Sequence, residues 1–258
     1  MDVQDLFSIR GRVALVTGGS SGIGRHIALG LAAAGAKVYI CARTEAKVKA
    51  AAEHIAGETG ASVTGLAADL STLSGIEALV AEIGAREGAL HILVNNAGTI
   101  VDAPIDDYPE EGWDQVIDLN LKAPFFTTQK FLPLLRAGAT PERPAAVINI
   151  GSVGALKVGP REVYAYQASK GAIHWLVKSL AKRLAPDNVT VNAIAPGFFE
   201  SEMTVITSDE MRQMIVSMVP RRRVGAPEDV AGAAIYLASR AGSYVTGSVL
   251  PVEGGLAI

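Results

Sequence analysis

The chain has 258 residues, 49% of them hydrophobic and 19% charged, and a formal net charge of −3 at pH 7. This length suits one α/β domain with a sizeable buried core, and the weakly acidic balance argues against general binding of nucleic acid. Cys41 is the single cysteine, which excludes an intrachain disulfide and favours a reducing compartment. We expect its thiol to be a small buried apolar group.

The first residues carry charges before any apolar run, at Asp2, Asp5, Arg10 and Arg12, which is unlike a signal peptide. The alanine-rich stretch at 27–36 contains glycine and is too short to span a bilayer. We therefore expect a cytoplasmic protein with no membrane partner. The histidines are scattered, which is more typical of structural positions than of catalysis, and the sequence indicates no metal site.

A glycine-rich turn follows the first apolar run. Residues 13–16 are apolar, residues 17–24 read T-G-G-S-S-G-I-G, and apolar residues then recur at helical spacing. Between a strand and a helix, such a turn lets the backbone approach a pyrophosphate, which binds at the helix N-terminus. The sequence thus predicts a dinucleotide-binding loop, although one glycine turn alone could be a plain strand-to-helix connection. Its candidate residues are Gly18, Ser20, Ser21, Gly22, Ile23 and Gly24.

The second predicted strand, residues 37–42, ends at Arg43. In dinucleotide-binding folds the tip of this strand contacts the adenosine ribose, where a carboxylate suits NAD and an arginine suits a 2′-phosphate. Arg43 therefore predicts NADP(H), with Ser20 and Ser21 as additional hydroxyl donors. A solvated arginine at a strand end is the alternative.

Strands and helices then alternate along the chain. We predict strands at 62–67, 91–94, 145–150, 188–193 and 247–252, and helices at 45–58, 74–87, 112–135 and 164–184. This alternation predicts one α/β domain over residues 1–258, with a doubly wound parallel sheet covered by helices on both faces. The glycine turn, N-N-A-G at 95–98, Ser152 and Pro196–Gly197 all follow strands, at the edge where ligands bind in open α/β sheets.

Residues 150–170 carry the chemistry. Tyr166 and Lys170 are four residues apart, which places both side chains on one face of a helix. A nearby ammonium lowers the pKa of a phenol from about 10, so we expect Tyr166 to exchange a proton with a substrate oxygen near neutral pH. Ser152 would donate a hydrogen bond to the same oxygen. The pattern indicates a carbonyl/alcohol redox enzyme, although a Tyr–Lys pair on a helix surface is the better explanation when that pair is taken alone.

Asn120 lies on the same helical stripe as Trp113, Val116 and Leu121, so we expect its amide on the buried face of one long helix. A buried amide needs a hydrogen-bond partner. An asparagine bonded to backbone in the core is the alternative to a functional role.

Taken together, these motifs resemble the short-chain dehydrogenase/reductase superfamily over essentially the whole chain. The matching elements are T-G-G-S-S-G-I-G, Asp69-Leu70, N-N-A-G, Asn120, Ser152, Y-Q-A-S-K and I-A-P-G. The resemblance implies a Rossmann-type fold with a seven-stranded sheet and a catalytic tetrad of Asn120, Ser152, Tyr166 and Lys170.

The resemblance also implies a role for each of these residues. Tyr166 would transfer the proton, Ser152 would hold the substrate oxygen, and Lys170 would bind the nicotinamide ribose and lower the tyrosine pKa. Asn120 would kink its helix and hold a water. The remaining implied cofactor contacts are Asp69 and Leu70 at the adenine, Asn96, Ala97 and Gly98 at the adenine-side ribose, and Pro196, Gly197, Phe199 and Ser201 near the carboxamide.

Within the superfamily, the chain resembles the 3-oxoacyl-thioester reductases, notably those of the rhamnolipid-biosynthesis type, through I-C-A-R, F-L-P-L-L-R-A and V-I-N-I-G-S-V. The methionines beyond Met1 lie in the segment of about 198–222, where this superfamily carries a substrate lid, and methionine suits a flexible alkyl chain. We therefore expect a small carbonyl or alcohol substrate that is a 3-oxoacyl thioester. Sugar-acid, polyol or other small-ketone dehydrogenases are the alternative, and a non-catalytic NADP(H)-binding sensor is a more remote one.

Two further expectations concern partners. Arg221 and Arg222 follow the lid segment and would meet the phosphates of coenzyme A or an acidic carrier protein, unless they are simply solvated. The helices at 112–135 and 164–184 are apolar on more than one face, with Phe125, Phe126 and Trp175 beyond the catalytic stripe. We expect a homotetramer, as in the family that the chain resembles, with burial inside the monomer as the alternative.

Overall fold

One parallel sheet organises the protein. The structure is a computed structural model that describes residues 2–200 and 208–258. Within these residues seven strands lie in the order β3-β2-β1-β4-β5-β6-β7, and every neighbouring pair is parallel. The strands are β1 (Val13–Thr17), β2 (Lys37–Ala42), β3 (Val63–Ala67), β4 (Ile92–Asn95), β5 (Ala145–Ile150), β6 (Val189–Pro196) and β7 (Val249–Val252).

Helices cover both faces of this sheet. Their bounds are α1 (Val3–Phe7), α2 (Gly22–Ala33), α3 (Glu45–Thr59), α4 (Leu73–Arg86), α5 (Glu110–Ile117), α6 (Ala123–Ala137), α7 (Tyr164–Leu184), α8 (Asp209–Met218) and α9 (Pro227–Ala238). A π-helical turn at Asp118–Lys122 joins α5 to α6. The predicted fold class, a doubly wound parallel α/β sheet, is confirmed.

The core has two layers because successive side chains of a strand point to opposite faces. On one face, Val16 and Ile40 pack with Ile27 of α2 and Val230 of α9. On the other face, Leu15 and Tyr39 pack with residues of α4, α6 and α7, which include Ile83, Phe131 and Val177. Cys41 belongs to this second layer, and burial raises the pKa of its thiol to about 12, so it is the buried apolar group expected.

Most predicted elements are observed at or near their predicted bounds. The sixth strand, predicted at 188–193, continues to Pro196, and two other elements also depart from prediction. The last strand begins at Val249 because Gly247 has a φ of 74°, which is left-handed backbone that a strand cannot contain. The single helix predicted at 112–135 is wrong in its middle, where the π-helical turn inserts an extra residue at Asn120.

Two kinds of feature are absent from the part of the chain that the structure describes. None of their helices has both the length and the apolar character needed to cross a bilayer. They also place no group of three or more histidine, cysteine, aspartate or glutamate side chains where a metal ion could be held.

Candidate active site

The predicted site residues converge on one edge of the sheet. Because all strands are parallel, the segments that follow β1, β2, β4, β5 and β6 meet at the carboxyl edge. They carry the glycine turn, Arg43, residues 96–98, Ser152 and Gly197. From β1 the chain adds β2 and β3 on one side of the sheet, and it then adds β4 to β7 on the other side. Ligands of open α/β sheets bind at the point between β1 and β4 where this change occurs.

Lys170 is the most deeply buried charge at this edge. It lies on α7 and is only 5% exposed, and its Nζ donates a hydrogen bond of 2.7 Å to the carbonyl oxygen of Ile150 at the end of β5. The same Nζ lies 5.6 Å from the ring centroid of Tyr166, so the predicted Tyr–Lys face exists. Burial lowers the pKa of Lys170 to about 8, and most molecules therefore keep the ammonium at neutral pH.

Tyr166 behaves differently from the sequence expectation. Burial raises the pKa of its phenol, and a hydrogen bond with Ser152 and the positive charge of Arg161 lower it by less. The prediction that a nearby ammonium brings the Tyr166 pKa towards neutrality is therefore wrong for this structure. The hydrogen bond of Lys170 is directed at the Ile150 carbonyl, and desolvation of the phenolate dominates the balance.

Ser152 connects the end of β5 to the catalytic helix. Its Oγ accepts a hydrogen bond of 3.0 Å from the backbone N–H of Gly154, which starts a short 3₁₀ turn at Val153–Ala155. The side chain is buried and hydrogen-bonded with Tyr166. Ser152, Tyr166 and Lys170 thus form one cluster, in agreement with the predicted grouping.

Asn120 occupies the π-helical turn and is 1% exposed. Its Nδ2 donates to the carbonyl of Thr99 at 2.9 Å and to the hydroxyl of Ser169 at 3.2 Å, while its Oδ1 accepts from the N–H of Thr99 at 2.8 Å. The amide therefore ties the loop after β4 to α7, next to Lys170. Its predicted burial is confirmed, whereas Trp113, predicted on the same buried stripe, is 42% exposed.

The glycine turn is shaped by close backbone contact with the segment after β4. A Cβ at Gly18, whose φ is 63°, would lie 2.9 Å from the Cα of Ala97, and one at Gly24 would lie 2.3 Å from Nδ2 of Asn96. Asn96 Nδ2 donates to the carbonyls of Thr17 and Gly18 at 2.9 and 3.1 Å. Side chains at these glycines would separate the two segments, so both are needed to build the cradle.

The start of α2 is suited to a pyrophosphate. Ser21 stands at the N-cap and its side chain makes no capping hydrogen bond, while Gly22 and Ile23 begin a first turn that carries no acidic residue. The positive end of the helix dipole is therefore not compensated by the chain itself. This end of α2 and the glycine cradle beside it fit the phosphates of a dinucleotide.

The adenosine side of the site is formed by the segments after β2 and β3. Arg43 is exposed and forms no ion pair with any residue in the described ranges. The pKa of Asp69 is lowered chiefly by two hydrogen bonds from Ser71 to the carboxylate, at 2.7 and 3.0 Å, and the positive charge of Arg43 contributes less. Leu70 is buried beside Asp69. A guanidinium near the strand tip that forms no salt bridge with a carboxylate of the described residues fits a 2′-phosphate.

The predicted nicotinamide side of the site is formed by the segment after β6. Pro196 ends β6, and a Cβ at Gly197 would lie 2.7 Å from the Cα of Glu253, so this turn packs tightly on the end of β7. Phe199 is 3% exposed, and its ring packs on Gly225. A contact between Phe199 and a carboxamide would therefore use the Phe199 backbone rather than its ring. Ser201 lies outside the described residues.

The sequence analysis did not predict one ion pair and one backbone hydrogen bond that join the loops around the cleft. Arg161 Nε donates to Asp102 Oδ2 at 2.8 Å and so joins the loop before α7 to the loop after β4. The carbonyl of Glu162 accepts from the N–H of Ala103 at 3.2 Å in the same place. No spacing in the sequence signals this pair, because its partners are far apart in the chain.

A cavity of about 520 Å³ lies beside the candidate site. The residues that contribute to its wall include Phe198, Arg221, Arg223, Gly254, Gly255 and Ile258, but none of the four predicted catalytic residues. Arg221 therefore borders an open space, whereas Arg222 Nη1 donates to the carbonyl of Ser217 at 2.7 Å.

Comparison with known proteins identifies the family. A family model described as enoyl-(acyl carrier protein) reductase matches residues 18–257. The rhamnolipids-biosynthesis 3-oxoacyl-[acyl-carrier-protein] reductase of Pseudomonas aeruginosa is 44% identical over 251 residues, which are 96% of this chain and 97% of that protein. The chain belongs to the short-chain dehydrogenase/reductase family. The predicted family and oxidoreductase class are thereby confirmed.

Solved structures of the family agree with the fold. The RhlG/NADP active-site complex of Pseudomonas aeruginosa superposes with a TM-score of 0.95 at 43% identity, covering 98% of this chain and 99% of that one. A protein from Agrobacterium tumefaciens, provisionally described as a 2-deoxy-D-gluconate 3-dehydrogenase with bound NADP, gives 0.86 at 39% identity and covers 98% of both chains. Both of these relatives hold NADP, the cofactor predicted for this chain.

The buried charge of Lys170 predicts a pH dependence of stability. Its pKa is about 8 in the folded protein and 10.5 ordinarily, so burial destabilises the fold below about pH 8, and the penalty disappears as the pH rises towards 10.5. Relative to Lys170→Met, the free energy of unfolding of the parent protein should rise by about 2 kcal/mol between about pH 7 and pH 9.5. Urea denaturation of both proteins at each pH measures this difference, and a constant difference would contradict the assignment.

Proposed function

We propose that this protein is an NADP(H)-dependent reductase that converts a ketone to a secondary alcohol, with a 3-oxoacyl thioester as substrate. The observation that carries the chemistry is the cluster of Ser152, Tyr166 and Lys170 beside the glycine cradle. Asn120 is hydrogen-bonded to Ser169, the residue before Lys170. A non-catalytic NADP(H) sensor would need the cradle alone. The complete cluster therefore favours an enzyme.

NADPH, when bound at the glycine cradle, supplies the hydride. Tyr166 keeps its proton at neutral pH, since the pKa of a phenol is ordinarily about 10 and burial raises that of Tyr166. The phenol can therefore donate its proton to the substrate oxygen as negative charge develops there. Ser152 donates a second hydrogen bond to the same oxygen, and the Lys170 ammonium stabilises the phenolate that Tyr166 leaves behind. Asn120 holds α7 and the loop after β4 in register around them.

Tyr166→Phe tests the proton-donor role. The variant removes the hydroxyl and keeps the ring, so turnover should fall by at least about a hundredfold while the dissociation constant for NADPH changes little. Tyr164→Phe is the matched control, because Tyr164 is bonded to Glu162 and is half-buried on a different face of α7. Stopped-flow NADPH oxidation and fluorescence titration give the two constants. Full activity in Tyr166→Phe would refute the mechanism.

Arg43 is proposed to select NADPH over NADH. A charge-assisted pair with the 2′-phosphate contributes about 1.5–3 kcal/mol, which corresponds to roughly a tenfold to hundredfold preference. Ser20 and Ser21 provide additional hydroxyl donors at the cradle. Arg43→Ala should lower kcat/KM for NADPH and leave that for NADH nearly unchanged. An unchanged ratio of the two efficiencies would refute the assignment.

Apolar surface around the cleft supports an acyl substrate. Leu156 and Val158, in the loop after Ser152, are exposed, as are Met214 and Met218 of α8 in the predicted lid. Such residues adapt to an alkyl chain better than to a hydroxyl-rich sugar. The relative from Pseudomonas aeruginosa named as a 3-oxoacyl reductase supports the same choice. Arg221, at the nearby cavity, is a candidate contact for the phosphate of a carrier group.

A sugar-acid dehydrogenase is the second candidate, favoured by the Agrobacterium relative at 39% identity. A substrate panel separates the two. Acetoacetyl and longer 3-oxoacyl thioesters should be reduced with kcat/KM rising with acyl length, and 5-ketogluconate and simple diketones should be poor substrates. The thioester proposal would be overturned if kcat/KM were highest for the sugar acid, or if kcat/KM did not rise with acyl length. Either result would leave the proposed redox chemistry intact.

Assembly and location belong to the same proposal. Trp175 is 69% exposed on α7, and Phe125 and Phe126 are partly exposed on α6. Two helices with apolar surface left outside the core favour burial against further copies of the chain. We therefore propose that the protein assembles as a homotetramer. We also propose that it is located in the cytoplasm, as expected from the sequence.

A further inference from the structure

His174 extends the catalytic face of α7. Tyr166, Lys170 and His174 follow one another at intervals of four residues, so the three side chains are stacked on one side of the helix. Nε2 of His174 is buried and has no hydrogen-bond partner among the described residues. Buried polar atoms are nearly always bonded, directly or through an ordered water, so this nitrogen requires an explanation.

The ring of His174 lies against the backbone that holds Lys170. A Cβ added at Gly151 would lie 2.2 Å from Nε2 and 2.7 Å from Cδ2 of His174, so only glycine at this position leaves room for the imidazole. Gly151 lies between Ile150 and Ser152 in the chain, and the carbonyl of Ile150 accepts the hydrogen bond from Lys170. The unpartnered nitrogen is therefore next to the segment that carries both groups.

The Lys170 ammonium has more N–H donors than the hydrogen bond to Ile150 uses. An ammonium has three N–H groups, of which one is used by the Ile150 carbonyl and another is available to the cofactor ribose. Helical side chains lean towards the N-terminus, so the imidazole reaches back over the turn that carries Lys170. Burial and the charges of Lys170 and Lys178 lower the pKa of His174, which keeps the ring neutral and able to accept. These two lysines are the charged groups that act on it.

We propose that His174 is a positioning residue whose Nε2 accepts a hydrogen bond from the Lys170 ammonium through one buried water. The bond stabilises the charged form of Lys170 in a site where burial opposes that charge, and so it widens the pH range over which Lys170 supports Tyr166. This inference rests on the roles of Tyr166 and Lys170 given under the proposed function.

The test compares His174→Leu, which removes the acceptor, with His174→Gln, whose amide oxygen retains one. Loss of one hydrogen bond to a charged group lowers the pKa of Lys170 by about one unit. In His174→Leu, kcat for ketone reduction should therefore be within about twofold of the parent near pH 6 but roughly tenfold lower near pH 9. His174→Gln should keep the parent profile.

A uniform loss of kcat at every pH in His174→Leu, or an unchanged profile, would overturn the inference, since a purely structural ring would give one or the other. If His174→Leu fails to fold, long-range ¹H–¹⁵N spectra of the unmodified protein decide instead. We expect an unprotonated, accepting Nε2 and a proton on Nδ1; a protonated Nε2 would exclude the bond. Retained activity in Tyr166→Phe would refute the proposed function itself, whereas an inactive Tyr166→Phe with an unaltered His174→Leu profile removes only this inference.

Discussion

The hydrogen bond between Lys170 and the Ile150 carbonyl is the constraint on which the site depends. It joins the middle of α7 to the end of β5, and so it fixes the distance between the helix that carries Tyr166 and the strand end that carries Ser152. A buried ammonium is costly unless its donors are used. The end of β5 therefore holds the Lys170 ammonium, which destabilises the fold at neutral pH. In that position the ammonium can stabilise the negative charge that develops on Tyr166 during the reaction.

Asn120 provides the second fixed point. Its amide bonds to both backbone groups of Thr99 and to Ser169, so the loop after β4 and α7 cannot move apart without leaving a buried amide unsatisfied. The amide belongs to the π-helical turn between α5 and α6, and such turns occur frequently at functional sites. The three hydrogen bonds of the Asn120 amide thus stabilise the geometry next to Lys170.

Much of this arrangement could be predicted from the sequence. Parallel strands place every segment that follows them on one edge, so the positions of the glycine turn, Asn96, Ser152 and Gly197 follow from counting strands. Four-residue spacing on a helix likewise predicts the face shared by Tyr166 and Lys170. Such patterns depend only on neighbours in the chain.

The features that could not be predicted depend on contacts between distant residues. The position of the His174 ring is set by Gly151, and the ion pair of Arg161 is set by Asp102. The direction of the Tyr166 pKa shift was predicted wrongly, because desolvation by the surrounding fold outweighs the charges that spacing reveals. The burial of the Phe199 ring is likewise set by a distant residue, because the ring packs on Gly225.

The protonation state of Tyr166 is the most direct measure of the central claim that this phenol is the proton donor. Titration of the protein labelled with ¹³C at tyrosine Cζ, with Tyr166→Phe used to assign the resonance, reports that state at each pH. We predict a neutral phenol at pH 7 and a pKa above the ordinary value of about 10. A phenolate at neutral pH would contradict the claim.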